Sequence, residues 1–99
     1  MTEFEKLVFD KVNTIPKGCV TTYGLLAKAI GKPRAARAVG NALNHNPVLV
    51  KVPCHRVVLA SGRVGGYAKG ELEKIRLLKR EGITINNKKI DDFKKYLFK

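Results

Sequence analysis

The sequence predicts a mostly α-helical domain, compact and winged-helix-like, with a helix-turn-helix and short strands or extended segments. Three observations carry that reading. Four stretches place apolar residues at helical spacing between start and stop signals. The second and third of them are joined by Gly31-Lys32, and the third carries arginines, which is the outline of a helix-turn-helix. The 99 residues are 44% hydrophobic, enough for one domain with a modest core and too few for two, so residues 1–99 are read as a single domain.

Thr2 followed by Glu5 reads as a capping box, opening a helix with Phe4, Leu7, Val8, Val12 and Ile15 on one face. Pro16-Lys17-Gly18 ends it, and Cys19-Val20-Thr21 is a short extended link in which Cys19 is a core or edge residue. Thr22 caps a second helix running to about Ile30, with Leu25, Leu26, Ala29 and Ile30 as its apolar contacts and Gly31 as its stop. Pro33 suits the first turn of a third helix that reaches about Asn44. Ala35, Ala36, Ala38, Gly40 and Ala42 leave that helix thinly covered, which fits either close approach by another surface or tight packing in the core; Arg34 and Arg37 argue against complete burial. Asn46-Pro47 marks a turn into an extended segment, Val48 to Val52, and Arg56-Val57-Val58-Leu59 continues as apolar chain. A glycine-rich loop from Ser61 to Gly70 follows; with no G-K-[ST] after it, this is not a phosphate-cradling P-loop. The fourth helix spans about Glu71 to Glu81, with Leu72, Ile75, Leu77 and Leu78 inward and Gly82 as its stop. A small hairpin around Asn86-Asn87 runs from Ile83 and Ile85 to Ile90, and Phe93, Tyr96, Leu97 and Phe98 form a last helical turn packing back on the domain.

Lys and Arg total 20 against 8 Asp and Glu, a net charge of +12. Such an excess on a small body points to a polyanionic partner, nucleic acid ahead of an anionic membrane surface, although a merely solubilising surface has the same composition. No apolar run approaches a membrane span, and Met1 to Glu5 has no signal-peptide pattern. The expectation is an intracellular monomer that neither spans nor inserts in a membrane, in the cytoplasm or nucleoid (the nucleus in a eukaryote). Thiols stay reduced there, so Cys19 and Cys54 are read as two free thiols. Cys19, His45, Cys54 and His55 lack the close pairings of a metal site, and none is expected.

The chemistry concentrates in Pro53-Cys54-His55-Arg56-Val57. A thiolate is a far better nucleophile than a thiol, and a neighbouring imidazole or guanidinium lowers a cysteine pKa. Pro53 fixes a backbone angle just before the thiol. Taken alone, Cys54-His55 is read more simply as a small buried hydrophobe beside a histidine.

The ordered set Val20-Thr21-Thr22-Tyr23-Gly24, Arg37-Ala38-Val39-Gly40, Asn46-Pro47, Pro53 to Val57, the Gly62 to Tyr67 loop, and Leu77-Leu78 with Glu81-Gly82 resembles the active-site and DNA-binding domain of O6-alkylguanine-DNA alkyltransferases. The segments stand in that family's order and spacing and span Val20 to Gly82. The resemblance implies a partner, double-stranded DNA containing O6-alkylguanine and entered from the minor groove. It implies irreversible transfer of the alkyl group to Cys54, one turnover per molecule, with no cofactor. It further implies that His55 is the base, acting through a water, that Glu81 orients the imidazole, and that Asn46 ties its turn to the active-site segment. A buried carboxylate at Glu81 also fits a structural ion pair. Because a stacked base is inaccessible, the nucleotide must be flipped out. The resemblance gives Tyr23 to the phosphate and guanine N3, and Arg37 to the gap left in the stack. Tyr67 lines the guanine pocket, Lys74 is a supporting basic position, and Arg34, Val57 and Ala68 join the substrate- and DNA-contacting set. Tyr23 as core and Arg37 as a plain phosphate contact are the simpler readings.

The chain departs from the family in three ways. The sequence is read as lacking the additional N-terminal domain of many members; Ala68 stands where a serine is frequent; and Lys69, where glycine is common, would narrow the pocket against bulky adducts. The short length is similar to that of alkyltransferase-like lesion sensors, which carry another residue at the cysteine position. A helix-turn-helix regulator with an incidental Cys54 would leave the Cys-His-Glu set and the glycine loop without a purpose.

Overall fold

Two small apolar cores lie on either side of one short strand pair, and the Cys54 segment leads into its second strand. The structure, a computed structural model, describes residues 2–45 and 52–98. The elements in order are α1 (Glu3–Val12), β1 (Thr21–Thr22), α2 (Tyr23–Ala29), α3 (Ala36–Asn44), a 3-10 turn (Cys54–Arg56), β2 (Val57–Val58), α4 (Glu71–Arg80), β3 (Ile85–Asn86), β4 (Lys89–Ile90) and α5 (Phe93–Tyr96). The expected mostly helical class with short strands holds. The turn at Asn46-Pro47 and the segment through Lys51 lie outside the described residues.

Local chemistry explains the helix ends. Thr2 and Glu5 form the full capping box of α1, with Thr2 Oγ1 accepting from the Glu5 amide at 3.0 Å and Glu5 Oε1 accepting from the Thr2 amide at 3.0 Å. Thr22 caps α2 through the Leu25 amide at 3.1 Å. Gly31, at φ +79°, closes α2: its amide reaches Lys28 O and the next amide, Lys32, reaches Ala27 O. Pro33 does not open α3 as the sequence predicts. It occupies the second position of a turn closed by Ala35 N–H to Lys32 O at 2.9 Å, where a fixed φ is favoured, so α3 starts at Ala36 and Arg34 lies in the turn.

β1 and β2 pair in parallel, Thr21 with Val57 and Thr22 with Val58. Successive strand residues point to opposite faces. Val57 therefore packs with Val8, Val12, Leu26 and Val39, while Val58 packs with Val20, Val64, Leu78 and Ile83. Each valine is fully buried, a contribution of about 1.5–3 kcal/mol apiece. Phe9, absent from the predicted face of α1, is buried there, whereas Leu7 is exposed.

Three further expectations change. Leu25 and Ala29 are exposed and line a groove of about 620 Å³ with Ile15, Leu97 and Phe98, so of the α2 set only Leu26 is deeply buried. Leu72 is 78% exposed, because α4 turns a different face inward. At 100° per residue, Lys74, Leu77, Leu78 and Glu81 share a face and Leu72 lies opposite to it. The hairpin forms as expected, with Asn87 and Lys88 at φ +52° and +62° as its turn residues, one position later than predicted.

Candidate active site

Backbone geometry holds Cys54 before any side chain does. Pro53, at φ −80° and ψ 63°, makes an inverse γ-turn closed by Cys54 N–H to Val52 O at 2.8 Å. Arg56 N–H to Pro53 O and Val57 N–H to Cys54 O continue it as the 3-10 turn. Cys54 is buried, with Sγ 3.9 Å from Leu43 O at the end of α3. Cys19 is half-buried, and among the described residues neither cysteine is in a disulfide.

His55 has no exposed surface, and its Nε2 stands 2.9 Å from Glu81 Oε2. Glu81 also accepts a two-pronged pair from Arg56: Nε to Oε1 at 2.9 Å and Nη2 to Oε2 at 2.7 Å. Arg56 Nη1 then donates to Ile15 O at 2.8 Å, which ties the group to the loop after α1. Glu81 is where the end of α4 places it. Gly82, at φ +91°, lets its own amide bond Lys79 O and lets the Ile83 amide bond Leu78 O, and Ile83 packs on Leu78 in the second core.

Electrostatics fix the protonation states. Burial pushes the His55 pKa down; the Glu81 hydrogen bond and charge pull the other way without restoring it, so the ring is neutral near pH 7. Burial pushes Glu81 up, but the hydrogen bonds from Arg56 and His55 outweigh it and hold the carboxyl below its usual value. An ionised Glu81 only accepts, so the neutral ring carries its proton on Nε2 and Nδ1 is left as the acceptor. Among the described residues Nδ1, although buried, meets no hydrogen-bond partner.

Lys74 is the other buried charge. Its Nζ reaches Val57 O at 2.6 Å, Gly66 O at 3.0 Å and Tyr23 Oη at 3.5 Å, and lies 5.7 Å from the Tyr23 ring centre. Burial lowers its pKa to about 8, against the opposing pull of Cys54 and Glu71. Lys74 thus joins β2, the glycine loop and α2 from inside and is no surface contact. Burial first and the neighbouring Cys54 second raise the pKa of both Tyr23 and Tyr67. The Tyr67 ring stands edge-on to His55, 6.4 Å between centres, and a Cβ on Gly40 of α3 would touch the Tyr23 ring at 3.8 Å.

The structure therefore brings Cys54, His55, Glu81, Tyr23, Tyr67 and Lys74 into one site. Val57 has no exposed surface and meets that site through its carbonyl. Arg34, Arg37, Ala68 and Lys69 are exposed, Arg37 on α3 and Ala68 and Lys69 in the glycine loop. Asn46 lies outside the described residues. Sequence reasoning does not single out Arg56, which stands in a motif there; its bonds to Glu81, the acid that also meets His55, show what it pairs with.

The sequence profile of the 6-O-methylguanine DNA methyltransferase DNA-binding domain matches residues 3–83. The chain belongs to that methyltransferase family. It is 53% identical over 81 residues to the methylated-DNA–protein-cysteine methyltransferase of Methanosarcina acetivorans, covering 82% of this chain and 52% of that protein. A bifunctional methyltransferase/endonuclease of Picrophilus torridus is 46% identical over 91 residues, covering 92% of this chain and 30% of that one. Among solved structures, Mycobacterium tuberculosis OGT in complex with DNA superposes with a TM-score of 0.81 at 48% identity, covering 83% of this chain and 50% of that one. S. pombe Atl1 in complex with damaged DNA containing O6-carboxymethylguanine superposes with a TM-score of 0.87 at 34% identity, covering 100% and 97%. The chain spans about half the length of the single-activity methyltransferases it matches. The family membership expected from the motif set holds. Among the described residues, no helix is long and apolar enough to cross a membrane.

Proposed function

We propose that this chain repairs DNA by direct reversal, moving a methyl or alkyl group from guanine O6 in duplex DNA onto Cys54. One observation carries the proposal: a neutral, fully buried His55 gives Nε2–H to an ionised Glu81 and keeps a basic Nδ1 on the same tight turn as the thiol. The Cys54 proton passes to Nδ1 through a water, Sγ attacks the alkyl carbon in line, the carbon–O6 bond breaks with its electrons left on guanine, and Tyr23 supplies a proton at N3. The product is a thioether that no group in the site reverses, so each molecule acts once. Neither metal nor cofactor enters that balance.

The nucleotide reaches Cys54 by leaving the stack. α3 supports this role with an outer surface of Arg37, Ala38 and Asn41, all exposed, and small enough around Arg37 for a narrow minor groove. Arg37 forms no ion pair among the described residues, and it fills the gap beside the orphaned base. Arg34, in the turn before α3, meets the backbone.

Lesion sensing without transfer is the second reading, favoured by the end-to-end likeness to Atl1. Intact-protein mass after incubation with an O6-methylguanine duplex separates the two. Transfer predicts one added methyl per molecule, mapped to Cys54 and not to Cys19, without added metal or nucleotide. Tight binding with no mass gain would leave the sensor.

A further inference from the structure

The β3–β4 hairpin carries an electrostatic arrangement that neither the fold nor the reaction requires. Residues 62–64 run antiparallel to β4, with Arg63 directly opposite Lys89. The flanking bonds, Val64 N–H to Lys88 O at 3.0 Å and Ile90 N–H to Gly62 O at 2.9 Å, make this a non-hydrogen-bonded pair, the closer kind. Both side chains are exposed on one face, while Val64, Ile85 and Ile90 bury the other. Like charges directly opposite each other destabilise a sheet. Nothing nearby relieves them: the Asp91 carboxylate takes the Asn86 amide, Glu71 takes Lys88, and neither Arg63 nor Lys89 forms an ion pair among the described residues. Phe93 backs Gly62 from beneath, with 3.5 Å from a Cβ on Gly62 to the ring, so the edge is firmly seated.

Its position indicates the anion. Arg63 lies on the same loop as Tyr67, whose ring faces His55, and four residues of chain reach at most about 14 Å. The pair therefore lies no farther than about 14 Å along the chain from Tyr67, a span of a few nucleotides. We infer that Arg63 and Lys89 form a second phosphate-contact site, holding the duplex backbone beside the pocket while α3 enters the minor groove. This rests on the DNA reading above and extends it to a face of the molecule that the helix-turn-helix does not include.

The test is the salt dependence of duplex affinity, measured by fluorescence anisotropy on an O6-methylguanine duplex and its undamaged counterpart. Each phosphate contact contributes about 0.9 to the slope of log K against log salt. Arg63→Ala/Lys89→Ala should flatten the slope by nearly 2 on both duplexes, and the charge-preserving Arg63→Lys/Lys89→Arg should keep it. Lys6→Ala/Lys11→Ala removes the same charge from α1, which also bears Glu3, Glu5 and Asp10, and should leave the slope near wild type. Methyl transfer at saturating duplex should be unchanged, and melting temperature at low salt unchanged or higher once the opposed charges are gone. A wild-type slope in the Arg63/Lys89 variant, an equal loss in the α1 variant, or a lower melting temperature would each overturn the site. Binding without transfer in the wild type, together with a flattened slope in the variant, would retain this site and remove only the transfer reaction. No duplex binding at all would remove both.

Discussion

Replacing Glu81 by Gln is the perturbation that reports most on this site, because one carboxylate holds both the Arg56 guanidinium and the neutral His55 ring. It accepts two hydrogen bonds from Arg56, at 2.9 and 2.7 Å, and one from His55 at 2.9 Å, with side-chain exposure of only 11% and 16% for Glu81 and Arg56. Removing one partner of a buried pair costs about 3–5 kcal/mol. Gln keeps one acceptor oxygen and the same shape, so a loss of about 2–3 kcal/mol is expected, about 10–20 °C in melting temperature for a domain of this size. The chemical effect is separate. A Gln amide that gives its oxygen to Arg56 turns its NH2 toward His55 Nε2, which moves the ring proton to Nδ1 and removes the ring's acceptor. A correctly placed general base contributes about 10²–10⁴ in rate, so single-turnover methyl transfer should fall at least 10²-fold below the melting transition. Glu81→Asp should retain the charge and much of the rate. A Glu81→Gln protein that melts early yet transfers methyl within about twofold of wild type would refute the tautomer argument and leave Glu81 a structural ion-pair partner.

Transfer should fall as pH drops below about 6.5, with a midpoint beneath the ordinary histidine value, because burial depresses His55 and its neutral form is the proposed base; a midpoint above that value in single-turnover rates would contradict the assignment. The same group adds stability that is present above its unfolded pKa and lost as pH falls through the depressed folded one. Lys74, with a folded pKa of about 8, should make wild type gain up to ~3 kcal/mol relative to Lys74→Met as pH rises from 8 toward 10.5; parallel urea-unfolding curves across that window would show the ammonium is not held so low. Cys54→Ser should bind alkylated duplex nearly as tightly as wild type while transferring nothing. Arg37→Ala should lose ~1–3 kcal/mol of duplex affinity and keep thiol reactivity toward free O6-alkylguanine; equal losses on duplex and free base would place Arg37 in the fold or pocket.

Much of this arrangement was legible in the chain, and what was not has a common cause. Thr2, Thr22, Gly31 and Gly82 act within a few residues of themselves: the threonines open α1 and α2 and the glycines close α2 and α4, as the sequence predicts. Pro33 misled because a proline suits the second position of a turn as well as the first turn of a helix, and only the Ala35-to-Lys32 bond decides between them. Leu72 misled because helical periodicity ranks leucine above lysine for an inward face. Three oxygens from β2, the glycine loop and Tyr23 reverse that ranking at Lys74, and none of them is adjacent in sequence. The same holds for Arg56. Its motif was plain, but its partner lies 25 residues on, and its Ile15 carbonyl 41 residues back.

Glu81 brings the two kinds of reasoning together. An acid at a helix C-terminus opposes the helix dipole, a cost of a few tenths to ~1 kcal/mol in isolation. Two explanations for such a placement compete at the level of sequence, a structural ion pair and a catalytic orienter, and on the proposed mechanism they are one arrangement. The Arg56 guanidinium offsets the dipole and holds the carboxylate ionised; an ionised carboxylate is a pure acceptor; and a pure acceptor at Nε2 is what leaves Nδ1 basic. The stabilising bond thus sets the tautomer. Arg56→Lys sharpens the point, since a lysine supplies the charge without the fork: melting should suffer more than the pH midpoint of transfer, whereas Arg56→Leu should lower both Glu81 ionisation and rate. If Arg56→Leu left the rate and its pH profile intact, the guanidinium would stabilise the fold alone, and the coupling between stability and basicity at this site would be wrong.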